Sequence, residues 1–180
     1  MTTIACNRHE MAADTRVTWE GVGTDVYTAR KLYVGRNAIY GVTGDDCSGA
    51  IRAIEWLKGD RNPEQKPLPP EYEHSWDWKI IELSADGIAI YNELLEREVT
   101  DEDVLAVGSG RKVALYCMKH ASPRLSPAEA VRAACLVDHY SSVPIYRARL
   151  DALKVERWKP EPKPRAPKAL RAVPPPKAPA

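Results

Sequence analysis

The residues with chemistry to offer are Thr2, Asp14, Lys31, Ser109, Asp138 and Ser141: three hydroxyls, two carboxylates and one amine. Thr2 follows Met1 directly, and its small side chain favours removal of that methionine. A chain that then starts at Thr2 carries a hydroxyl and a free α-amine on one residue, a nucleophile with its own base. Such an amine titrates near ~7.7–8.0, so a share of it is unprotonated at neutral pH and able to act as a base. Thr2 alone is weak evidence, because most chains with threonine there make no use of it. The other groups are ordinary when taken singly. Asp14-Thr15-Arg16 reads as solvated charge at a strand end, and Lys31 as a surface lysine. Gly108-Ser109-Gly110 reads as a tight turn or an anion-binding helix start, and Asp138 as a loop acid. Any chemistry must come from their convergence.

The elements that would position them follow from the hydropathy pattern. Thr3 to Asn7 and Met11 to Asp14 read as short strands about the polar turn Arg8-His9-Glu10. Val17 to Val26 is a loop or weak edge strand. Lys31 to Val34 and Asn37 to Val42 form a hairpin about Gly35-Arg36. Ala50, Ile51, Ile54 and Leu57 repeat at helical spacing, capped by Asp46 or Ser48 and ended by Gly59. Residues Asp60 to Ser75 hold four prolines and read as an irregular loop. Trp78 to Leu83 and Ile88 to Asn92 flank Asp86-Gly87, a hairpin signal. A short apolar strand, Val104 to Val107, runs into Gly108 and a helix from Arg111 to Ala121. Ser126-Pro127-Ala128-Glu129 is a capping box opening a helix to about Val137, and Val143 to Leu150 is a last strand. Helices in two places between antiparallel pairs predict an α+β sandwich, not an alternating parallel sheet.

Length and charge narrow the functional classes. The chain has 180 residues with 26 Lys+Arg against 25 Asp+Glu. That suits one domain, residues 1–150, and a tail, residues 151–180, rich in Pro, Lys and Arg. The tail has 8 basic and 3 acidic residues; the rest has 18 basic and 22 acidic, so no basic stripe points to nucleic acid. Eight prolines from Pro160 onward predict polyproline-like disorder, with a docking role left open. The four cysteines and four histidines are dispersed without zinc spacing, which predicts a reduced, cytoplasmic chain. No membrane span or signal peptide is expected.

Taken in order, Thr2-Thr3-Ile4, Ala13-Asp14-Thr15-Arg16, Arg30-Lys31-Leu32-Tyr33, Gly41 to Gly44, Gly108-Ser109-Gly110 and Asp138 to Pro144 resemble the N-terminal-nucleophile hydrolases of the proteasome β-subunit class. The chain is most similar in size to HslV-like peptidases and their small bacterial and phage relatives. The resemblance implies a four-layer αββα fold, assembled in homo-oligomeric rings around an inner chamber. It implies a threonine-type endopeptidase acting on unfolded polypeptide, with an AAA+ unfoldase as a partner that no residue here displays. It assigns the nucleophile to Thr2 and the poising ammonium to Lys31, held by Asp14 with Arg16 in support. It assigns the oxyanion amide to Gly44, and the groups that orient the terminus to Ser109, Asp138 and Ser141. No cofactor is implied for the chemistry, and a structural monovalent or divalent cation is left open. Neither nucleic acid nor membrane is an expected partner. The location implied is cytoplasm, that of the host if the source is a virus.

The chain departs from the pattern where relatives read Thr-Gly-Gly-Pro and it reads Ser141-Ser142-Val143-Pro144. Serine keeps the hydroxyl, whereas losing both glycines narrows the loop's backbone freedom. Two rivals share the residues: a catalytically idle ring protein, and an amidase with a closed pocket for a small amide.

Overall fold

The computed structural model describes residues 2–21, 23–44, 47–67 and 78–160. Along the chain run β1 (Thr3–Asn7), β2 (Glu10–Ala13), β3 (Arg16–Gly21), β4 (Gly23–Thr28), β5 (Leu32–Val34), β6 (Ala38–Gly44) and α1 (Cys47–Lys58). They are followed by β7 (Trp78–Ser84), β8 (Gly87–Tyr91), β9 (Arg97–Thr100), β10 (Val104–Gly108), α2 (Arg111–His120), α3 (Pro127–Cys135), β11 (Tyr146–Arg149) and β12 (Lys154–Arg157). A 3-10 turn, Pro63–Gln65, lies in the stretch after α1. Strands β10-β1-β2-β11-β12 make one sheet, β5-β6-β7-β8-β9 a second, and β3-β4 a separate hairpin.

Alternation along each strand sorts side chains between the layers. In the first sheet Ile4, Cys6, Met11 and Ala13 face inward, where Leu32, Ile39, Ile81, Leu83 and Ile88 of the second sheet meet them. The other face of the first sheet is small, with Ala5, Ala12 and Ala106. Those alanines let α2 and α3 lie close, through Ala114, Ala128, Val131 and Ala134. The second sheet turns Tyr40, Val42, Trp78 and Ile80 outward against Ala50, Ala53, Ile54 and Leu57 of α1. The layers are therefore α1, sheet, sheet, and α2 with α3, the α+β sandwich expected. At Gly41 the two sheets lie close, since a Cβ there would sit 2.8 Å from Met11 Sδ and 3.2 Å from Ile4 Cδ1.

The capping box forms as read, with Ser126 and Glu129 each bonding the other's backbone amide. Other elements differ from expectation. Of the two readings of residues 17–26, loop or weak edge strand, the strand is the one found: β3 and β4 pair with each other as a separate hairpin. Strand β9 was not expected, because Arg97, Glu98 and Val99 are all exposed and show no alternation. The folded unit also runs past Leu150: β12 pairs with β11, and the Trp158 amide donates to the Ile145 carbonyl. Its charged sequence, Lys154-Val155-Glu156-Arg157, has only half-buried Val155 to hint at a strand. The expected capping residue Asp46, most of the proline-rich segment (68–77) and the tail from residue 161 lie outside the described residues.

Near the C-terminal end of α1 the outer face of the second sheet holds a buried charge. Glu82 is 3% exposed on β7. It accepts from Arg61 Nη2 at 3.1 Å, Tyr91 OH at 2.8 Å and Arg97 Nη2 at 3.2 Å. Arg61 also donates to Tyr40 OH at 3.2 Å. Burial and the adjacent carboxylate push the Tyr91 phenol up to about 12.

Candidate active site

Strand β1 brings Thr2 and Thr3 into the interior at its start, 4% and 0% exposed. The β1–β2 hairpin sets Ile4 opposite Ala13, so Asp14 emerges beside Thr3. Asp14 is 1% exposed, and its carboxylate gathers four donors. Oδ1 accepts from Thr3 N–H at 2.8 Å and Lys31 Nζ at 2.8 Å. Oδ2 accepts from Arg16 N–H at 3.0 Å and Ser142 N–H at 3.2 Å. A buried carboxylate needs such compensation, because desolvation of each ion costs several kcal/mol. Lys31, one residue before β5, is 7% exposed and also donates to the Arg16 carbonyl at 2.6 Å. The ammonium thus points inward, one carboxylate oxygen away from the Thr3 amide. Arg16 serves this centre through its backbone N–H and C=O. Its Nε is buried without a hydrogen-bond partner.

A second centre closes on Thr2 from the other side. Strand β10 pairs with β1, Thr3 opposite Gly108, and ends in the turn before α2. Gly108 has φ +88°, and a Cβ there would lie 1.8 Å from the Thr2 carbonyl oxygen, so only glycine fits. Ser109 N–H then donates to that carbonyl at 2.8 Å. Ser109 Oγ donates to Asp138 Oδ2 at 2.6 Å, and Ser141 Oγ donates to the same oxygen at 2.5 Å. With its proton committed to Asp138, Ser141 accepts from Thr3 Oγ1 at 2.6 Å, and Thr3 Oγ1 accepts from Gly110 N–H at 3.1 Å. Burial alone would raise the Asp138 carboxyl. The hydroxyls of Ser109 and Ser141 and the Tyr140 amide outweigh it and hold the group below its ordinary 3.8.

Five of the predicted residues, Asp14, Lys31, Ser109, Asp138 and Ser141, therefore converge on the Thr2-Thr3 segment, and Arg16 joins through its backbone. Gly44 lies at the end of β6 with φ +139°, and its recorded partner is Trp78 across the sheet. Thr3 and Gly110 were read only as parts of motifs; their roles need the pairing of β1 with β10, which no local signal carries. Cys135, at the end of α3, was not singled out. Its thiol is raised to about 12 by burial first and by the Asp14 charge second, so it is inert as a nucleophile. Among the described residues no group of three His, Cys, Asp or Glu is placed to hold a metal.

The arrangement spends every polar group of Thr3 and leaves the Thr2 side chain unspent. Among the described residues no hydrogen bond engages the Thr2 hydroxyl, while the Thr2 carbonyl is held. Such a residue is oriented by its backbone and free at its side chain.

No protein-family model matches the chain, and no curated protein matches it in sequence. Solved structures do match. Thiobacillus denitrificans BPH is 17% identical with a TM-score of 0.56, covering 89% of this chain and 99% of that one. The same protein in complex with epoxomicin is 18% identical with a TM-score of 0.55, covering 88% and 99%. Eukaryotic HslV from Trypanosoma brucei is 18% identical with a TM-score of 0.58, covering 82% and 98%. At these identities the likeness is one of architecture, and the chain has an HslV-like, proteasome-like α+β fold.

Proposed function

We propose that the chain is a threonine peptidase whose nucleophile is the Thr2 hydroxyl after removal of Met1, working on unfolded polypeptide inside a homo-oligomeric ring. The observation that carries the reading is the buried Asp14–Lys31 pair bound to the Thr3 amide, with Thr2 adjacent and its hydroxyl unengaged. Thr3 is unsuited to attack, since its hydroxyl is enclosed between Gly110 N–H and Ser141 Oγ.

The freed α-amine of Thr2 takes the hydroxyl proton as Oγ1 attacks the peptide carbonyl. The tetrahedral intermediate collapses to an acyl ester on Thr2, and the amine returns the proton to the leaving nitrogen. Water, activated by the same amine, then hydrolyses the ester. The Lys31 ammonium disfavours protonation of that amine and so keeps it basic. Asp14 holds Lys31 charged and aimed. Ser109, fixed by Asp138, keeps the Thr2 carbonyl in place while its side chain reacts. Gly44, with its left-handed backbone at a strand end, is the proposed donor to the oxyanion, a contribution worth ~10²–10³ in rate. The epoxomicin complex of the structural neighbour supports an electrophile-reactive site in this fold.

Intact mass, peptide electrophile labelling and casein turnover, each measured beside Thr2→Ala, test the proposal. Loss of Met1, labelling of Thr2 and turnover abolished in Thr2→Ala are expected. Retained Met1 would remove the amine and sink the reading. Labelling that survives in Thr2→Ala would place the nucleophile elsewhere, and absent labelling would favour an idle homologue.

A further inference from the structure

The two flanks of the sandwich carry opposite charge. At one flank, β12 is the free edge of the first sheet. A cavity of about 360 Å³ opens there, lined by Arg132, Arg157, Lys159, Val143, Trp158 and Pro144 among others, with no acidic residue in its wall. Arg132, Arg157 and Lys159 are exposed and form no ion pair among the described residues. Val143 is 63% exposed beside them. By sequence, residues 161–180 add five basic residues and one acidic, so the tail has the wrong sign to fill this cleft.

The opposite flank ends in β9, the free edge of the second sheet. Residues 93–103 hold six acids and one base, and that base, Arg97, is bound to Glu82. Glu93, Glu98 and Asp101 form no ion pair among the described residues. Leu94 and Val99, 44% and 52% exposed, lie among them. Strands β11 and β12 pack over β5, the edge of the second sheet farthest from β9, so the basic and acidic flanks face away from each other.

Opposite charges on opposite flanks, each with apolar side chains in the middle, are the two halves of a heterologous contact. We propose that the basic cleft at β12 receives the acidic β9 flank of a second copy of this chain, head to tail. Val143 and Trp158 meet Leu94 and Val99, and the arginines meet Glu98 and Asp101. A head-to-tail contact of this kind repeats until it closes, which is what a ring requires. The inference rests on the ring clause of the proposed function and supplies the surfaces for it. A nucleic acid is disfavoured as occupant, because residues 1–150 carry more acid than base.

The test is charge exchange read by light scattering on the full chain. Arg132→Glu with Arg157→Glu, and separately Glu98→Lys with Asp101→Lys, should each reduce the assembly to single chains. Mixing the two variants should bring the chains back into a multi-chain assembly, since an alternating array joins opposite charges at every junction. Circular dichroism confirms that each variant is folded; restored assembly on mixing shows the same. High salt, near ~1 M where the Debye length is about 3 Å, should weaken the wild-type assembly. An assembly that survives both variants, or variants that stay apart on mixing, overturns this interface while leaving the Thr2 reading intact. A wild-type chain that is monomeric overturns both the interface and the ring. Thr2 labelling, measured on the same samples, reports the chemistry independently of either.

Discussion

Asp14, just past the end of β2, and Glu82, within β7, are both buried carboxylates paired with cations, yet they do different things. Asp14 draws its donors from the backbones of Thr3, Arg16 and Ser142 and from one nearly buried ammonium. Glu82 draws its donors from long side chains alone, and Arg61 and Arg97 are 43% and 33% exposed. The first charge therefore fixes the course of four chain segments beside a threonine with an unengaged hydroxyl. The second closes a sheet face near the end of α1 and positions nothing that can react. A buried, paired carboxylate is thus no sign of a site by itself; what matters is whether its hydrogen bonds hold main chain next to a reactive group.

The largest test of that contrast removes each carboxylate. Asp14→Ala strands Lys31 in a buried position and frees three backbone amides, and is expected to cost ~3–5 kcal/mol in urea unfolding and to abolish Thr2 labelling. Glu82→Ala lets two partly exposed arginines rehydrate, and is expected to cost only ~1–3 kcal/mol and leave labelling intact. The reverse order of stabilities would break the comparison.

Gly108→Ala comes next. Its Cβ would overlap the Thr2 carbonyl at 1.8 Å, so the terminus must shift. A misplacement of about 1 Å is expected to lower labelling rate by ~10²-fold. Unchanged labelling would show that the Thr2 backbone need not be held.

Acid titration sharpens the contrast further. The Asp138 carboxyl is held below its ordinary value in the folded chain. Its contribution to stability is therefore full above the unfolded value of ~3.9 and is lost as pH falls through the lower folded one. Ser109→Ala with Ser141→Ala removes the two hydroxyl donors. The acid unfolding limb followed by circular dichroism should then move to higher pH. A limb that stays put would mean these hydroxyls do not stabilise the carboxylate.

The smallest effect belongs to the structural centre. Tyr91→Phe deletes one hydrogen bond to Glu82 and should cost ~0.5–1.5 kcal/mol without altering turnover. Any loss of turnover would show that the second sheet's charge cluster reaches the site.

Much of this protein was readable from local chemistry. The hairpin turns, the α3 capping box and the apolar alternation of β1, β6 and β7 all reflect forces acting over a few residues. The motifs at Asp14, Lys31, Ser109 and Asp138 were readable because their types and order were. Strands β9 and β12 were hidden, since a charged edge strand has no apolar face to alternate. Glu82 left only a faint mark, a lone acid at an alternate position of an apolar strand. The chain order therefore dictated which groups were present and which short elements would carry them. It was folding that chose among them, because Thr2 and Thr3 are chemically alike. Pairing β1 with β2 and β10 spends one hydroxyl in a hydrogen-bond chain and leaves the other unengaged beside a buried ion pair.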